Sequence, residues 1–166
     1  MKELNNIKYG YVDKDGNIHI RVDDHFSNDY RLQSPEEVLN SRVGVCWDQV
    51  ELERYLFDKK GISFNTYYIA HYDNDKCPTH TFLIYKENKK YYWYEHSWEL
   101  FRGIHEFKSE LEAIKDITDK FIKNEIKGEF EPKNLCIYKY NKPKYGITPL
   151  EFSKHCEKGE NITWEQ

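Results

Sequence analysis

The chain has 166 residues, 39% of them hydrophobic and 33% charged, a balance that suits a soluble globular protein rather than a disordered one. A formal charge of -4 gives no general basic surface and argues against nucleic acid as a partner. The length fits one domain over residues 1–166 with a modest core, and 14 Tyr, 9 Phe and 4 Trp predict that aromatic rings fill much of it.

Four cysteines, Cys46, Cys77, Cys136 and Cys156, are scattered and form no CxxC pair. The opening Met-Lys-Glu-Leu-Asn-Asn lacks the apolar run of a signal peptide, and no segment reaches transmembrane length. A cytoplasmic protein with reduced thiols and no membrane partner is expected.

Residues 7–22 read as a β-hairpin, with Ile7, Tyr9 and Tyr11 alternating before the Asp13-Lys14-Asp15-Gly16-Asn17 turn and Ile18, Ile20 and Val22 after it. Residues 23–33 are polar and read as a surface loop. Ser34-Pro35-Glu36-Glu37 carries a capping serine, a first-turn proline and a reciprocal glutamate, and predicts a short helix interrupted by Gly44. A second helix opens at Cys46 and ends at Lys59-Lys60-Gly61. Its apolar residues cover more than one stripe, which predicts a central helix buried on several sides.

Residues 62–72, 79–85 and 91–98 are rich in β-branched and aromatic residues and predict three strands, separated by turns at 73–78 and 87–90. Strands joined this tightly are most easily antiparallel. Ser109-Glu110-Leu111-Glu112 opens a helix running to Gly128, residues 135–140 form a further strand, and Thr148-Pro149-Leu150-Glu151 begins a last helix that stops at Gly159.

Three residues in this frame carry chemistry. Cys46 sits in the first turn of its helix, where the macrodipole and unpaired N–H groups favour an anion, and the thiolate is the nucleophilic form of cysteine. His80 opens one strand, and Glu95 lies in the next on the face of Tyr91 and Trp93. Counting outward from the turn, Tyr85 pairs with about Tyr91, which brings Glu95 opposite Thr81 and close to His80. Nucleophile, base and orienting carboxylate make an activated-thiol site. The backbone N–H of Cys46 is a natural oxyanion donor, and Gln33, Trp47 and Gln49 are candidates for a second.

The segment Gly44-Val45-Cys46-Trp47-Asp48 before a helix ending at Gly61, then Thr79-His80-Thr81-Phe82, then Trp93-Tyr94-Glu95-His96-Ser97-Trp98, resembles the transglutaminase-like superfamily. That family shares its cysteine–histidine–acid arrangement with papain-type proteases. The resemblance implies an α+β fold of papain/transglutaminase-like type, a nucleophilic helix packed against an antiparallel sheet. It also implies a Cys46–His80–Glu95 triad working through a thioester without a cofactor, on a protein, peptide or small amide. The acid departs from the usual aspartate of the transglutaminases, and hydrolysis and transamidation both stay open.

Two other readings stand beside this one. The same fold could be a catalytically silent binding module in which the three residues are packing. His71, Cys77, His80 and His96 could instead ligate zinc. Of the remaining residues, His96 alternates away from Glu95 and is expected to be exposed or structural. His105 reads as a loop histidine, Cys136 as a core thiol and Cys156 as a surface thiol.

Overall fold

A computed structural model of the chain describes residues 3–73 and 77–163. In chain order the elements are β1 (Tyr11–Val12), β2 (Ile18–His19), α1 (Phe26–Asp29), α2 (Pro35–Ser41), α3 (Cys46–Lys60), β3 (Phe64–His71), β4 (Thr79–Glu87) and β5 (Lys90–Glu95). After these come β6 (Gly103–Phe107), α4 (Glu110–Glu125), β7 (Leu135–Tyr140), α5 (Pro149–Cys156) and β8 (Glu160–Asn161). The fold is α+β, built on a six-stranded antiparallel sheet of order β6-β5-β4-β3-β7-β8. Among the described residues no helix is long and apolar enough to cross a membrane.

Alternation along the strands gives the sheet two apolar faces. Tyr67, Ile69, Phe82, Ile84, Trp93 and Ile137 pack against Ala113, Ile114, Ile117 and Phe121 of α4. Leu83, Tyr85 and Tyr94 on the opposite face pack against Val50, Leu52 and Phe57 of α3. Tyr68, Ala70 and Tyr140 meet Trp47 at the start of α3 and Phe152 of α5.

Local signals set the helix ends. Ser34 and Glu37 form both halves of a capping box, and Gly61 closes α3 at φ 65, a conformation glycine adopts without penalty. The β4–β5 turn uses positive φ at Asn88 (49) and Lys89 (66), so Glu87 pairs with Lys90 in a two-residue hairpin loop.

Several expectations needed correction. The N-terminal hairpin is far shorter than residues 7–22, with only Tyr11↔His19 and Val12↔Ile18 paired, because Asp13 folds the turn tightly by accepting the Asp15 and Asn17 N–H groups. The 23–33 loop contains α1, whose Phe26 packs near Trp47. The strand expected to reach Trp98 ends at Glu95, and β6 and β8 were not foreseen. His105 stands in β6 with its ring stacked 4.7 Å from Trp93. Cys156 is fully buried in the α5 core, whereas Cys136 is only half-buried. The turn expected at 73–78 falls partly on residues 74–76, outside the described residues.

One buried carboxylate fixes the entry to α3. Asp48 accepts from the Tyr30 hydroxyl (2.8 Å), the Gln33 N–H (2.9 Å) and the Val45 N–H (3.0 Å). Burial raises its pKa to about 7 against the lowering effect of these donors. A Cβ on Gly44 would stand 2.9 Å from the Asp48 Cβ, so glycine is required where the loop crosses the carboxylate. Deleting one acceptor that serves three buried donors strands each of them, at about 1–3 kcal/mol apiece. Asp48→Ala is therefore expected to lower unfolding free energy by about 3 kcal/mol or more in urea titrations; a loss under about 1 kcal/mol would show that the loop is held by something else.

Candidate active site

Cys46 occupies the first position of α3, after Val45 at the N-cap. Valine offers no side-chain acceptor, so the helix start is held by Asp48 reaching back to the Val45 N–H. Gln49, one turn into the helix, donates from Nε2 to the Gly44 carbonyl at 2.7 Å. Its Oε1 accepts from Nδ1 of His96 at 2.8 Å. The loop delivering the thiol is thus pinned from both sides.

Further along, Glu51 and Arg54 pair at 2.9 Å, Arg54 donates to Thr66 of β3, and Tyr140 of β7 donates to Glu51 at 3.1 Å. This buried group locks the helix to the sheet. The register of Cys46 against the strands is set by it.

Pairing of β4 with β5 runs from Glu87↔Lys90 to Ile84↔Trp93, short of the ends of both strands. His80 and Glu95 lie beyond that last pair. Nε2 of His80 donates to Oε2 of Glu95 at 2.9 Å, and both side chains are buried. Glu95 also accepts, through Oε1, from the Ser97 hydroxyl (2.9 Å) and the Trp98 N–H (2.7 Å). The ladder has Tyr85 opposite Tyr92, one residue from the expected register, and the glutamate arm reaches His80 diagonally.

Burial works against a charge on His80, but the Glu95 carboxylate with its hydrogen bond, and the neighbouring Cys46, outweigh it and raise the ring to about 10. Burial likewise opposes charge on Glu95, and the His80 charge leads the effects that hold its pKa below the ordinary value. The three residues singled out in the sequence therefore converge. Trp98 packs beside the ring, tilted by 56° with 5.1 Å between centroids.

Cys46 is only 8% exposed, yet it lines a cavity of about 620 Å³ that reaches the surface beside Leu150. The candidate second oxyanion donors fare differently. Nε2 of Gln33 donates to the Val43 carbonyl and that of Gln49 to Gly44, so both hold the loop. The Trp47 indole nitrogen is buried without a hydrogen-bond partner.

His96, expected to be exposed or structural, is buried as the partner of Gln49, and burial first, then Arg102, lower its pKa. Its side chain covers the α3 side of the strand end, which alternation alone could not reveal. The zinc set does not assemble. His71 donates to the Glu131 carbonyl at 3.2 Å, His80 and His96 have the partners above, and among the described residues no cluster of His, Cys, Asp or Glu could hold a metal ion. Comparison with known proteins finds no matching family model and no matching curated protein.

Glu53, two turns along α3 from Cys46, was missed by sequence reading. It is buried with Oε2 unpartnered, and burial, followed by the charge of Glu95, raises its pKa well above the ordinary value. The unfolded chain releases that proton near pH ~4.3 while the folded chain retains it, so stability is lost as pH rises above that point. Glu53→Gln should flatten this decline: the fall in urea unfolding free energy between pH 4 and pH 8 is expected to be smaller in the variant than in the wild type. Equal falls would mean that Glu53 is not the buried acid responsible.

Proposed function

We propose that the chain is a cysteine-dependent acyl-transfer enzyme of the transglutaminase-like kind. It would act on an amide, peptide or related acyl compound through a Cys46–His80–Glu95 triad and a thioester. The observation that carries the reading is the His80 ring, held by Glu95 at 2.9 Å and set near Cys46, which lines an open cavity.

In this chemistry the Cys46 sulfur attacks as its thiolate, with the proton carried on His80. The sulfur attacks the acyl carbon, and the backbone N–H of Cys46 at the helix start donates to the developing oxyanion. The imidazolium then gives its proton to the departing amine, leaving a thioester on Cys46. Next, His80 takes a proton from water or an amine, which attacks the thioester and releases the product. Glu95 keeps its proton-free form throughout and stabilises the charged ring. The antiparallel sheet with a cysteine at the start of a packed helix also fits the papain/transglutaminase-like arrangement that the sequence resembles.

Iodoacetamide tests the reading against a silent module. The full chain is labelled between pH 5.5 and 9 and Cys46 is followed by peptide mass spectrometry, which separates it from exposed Cys77. Cys46 is expected to keep reacting at pH 6. In His80→Ala the pH 6 rate should drop by about tenfold or more, because the proton acceptor for the thiol is gone. A Cys46 that stays inert, or a rate indifferent to His80, would favour the binding module.

A further inference from the structure

The cavity beside Cys46 has a composition of its own. Its walls are Phe26 of α1, Trp47 of α3, Tyr68 and Tyr72 on or just beyond β3, and Leu150 of α5. These rings are built into the core: Trp47 stacks on Phe152 at 4.7 Å and lies 5.8 Å from Phe26, while Tyr68 meets Phe152 edge-on at 6.2 Å. Three of the six hydroxyls in the wall, those of Tyr68, Tyr72 and Ser153, are linked to one another, and those of Tyr9, Ser27 and Thr79 complete the set. Tyr68 donates to Ser153 at 3.0 Å, Tyr68 and Tyr72 lie 3.4 Å apart, and Tyr72 donates to Glu157. One charge of each sign, Lys154 and Glu157, lies on the α5 side. What a ligand meets is mainly aromatic and aliphatic surface with a few hydroxyls and little net charge.

The volume, about 620 Å³, lies within the range of roughly 300–1,000 Å³ found for small-molecule sites and far exceeds what an acetyl group fills. The nucleophile stands in its wall, so the group held there is the one that becomes attached to sulfur. We infer that this cavity is the acyl subsite of the proposed enzyme and takes an uncharged acyl group bearing an aromatic ring. The inference rests on the acyl-transfer reading above. In the step it implies, the Cys46 sulfur forms a bond to the carbonyl carbon and the bond from that carbon to the leaving nitrogen or oxygen breaks. The leaving group takes its proton from His80 or departs as a stable anion, and the ring-bearing acyl group stays in the cavity as the thioester.

The test compares p-nitrophenyl acetate with p-nitrophenyl 3-phenylpropanoate on the full chain. Acylation is followed by the p-nitrophenolate burst, and each rate is divided by that of the same ester with a free thiol. The normalised preference for phenylpropanoate is expected to be at least about tenfold. Leu150→Glu, at a residue 63% exposed on the rim, should bring this ratio toward one. A wild-type ratio near one, with acetate acylation intact, overturns the inference and leaves the acyl-transfer reading standing.

If neither ester acylates Cys46, the acyl-transfer reading fails first. The cavity is then judged by binding alone, through NMR titration of Cys46→Ala with 3-phenylpropanamide and with acetamide. Saturable shifts at Trp47 with the aromatic amide only would uphold an aromatic site. Their absence would remove it.

Discussion

The contact that the site depends on is a buried one, the His80 imidazole against the Glu95 carboxylate at 2.9 Å. Two groups withdrawn from water in this way are tolerated when each is satisfied by further hydrogen bonds. Glu95 has the Ser97 hydroxyl and the Trp98 N–H, and Cys46 lies near the His80 ring. The arrangement is directional. A carboxylate fixed from behind fixes the ring, and the fixed ring gives the sulfur a standing partner.

That partner is useful only if the thiol arrives in the right place, and most of the polar chemistry of α3 serves this. Asp48 gathers Tyr30, Gln33 and Val45 around the helix start, Gln49 couples Gly44 to His96, and Glu51 with Arg54 ties the helix to β3 and β7. These groups would be called solvated charges on a typical helix, yet here they are buried. Glu53 is the exception, with an oxygen that has no partner beside the Glu95–His80 pair. In the proposed enzyme such a burden on stability near the reacting groups is consistent with a site shaped for chemistry ahead of rigidity.

The parts of this structure legible in the sequence are those determined locally. Ser34 and Glu37 are three residues apart and cap a helix wherever they occur, and Gly61 ends α3 for a reason contained in its own backbone. The order cysteine, histidine, glutamate was visible because each falls at an element start or on a strongly apolar strand. What was hidden depends on distant partners. β6 is half-exposed and polar at His105 and Glu106, and it is a strand only because β5 lies beside it. The register slipped by one because Asn88 and Lys89 adopt positive φ without glycine to announce it. Burial of Asp48, Glu53, His96 and Cys156 follows from what packs over them, and no periodicity in their own segments carries that information.

The central claim is that His80 is a charged ring held between a carboxylate and a sulfur. Nitrogen-15 NMR of the imidazole across a pH titration reads this directly, in the wild type and in Glu95→Gln. The account predicts that both ring nitrogens of His80 remain protonated through pH 8, with deprotonation approached only near about 10, and that the Gln variant titrates lower. A wild-type ring that is neutral at pH 7 and titrates near the free-imidazole value of ~6.5 would contradict it.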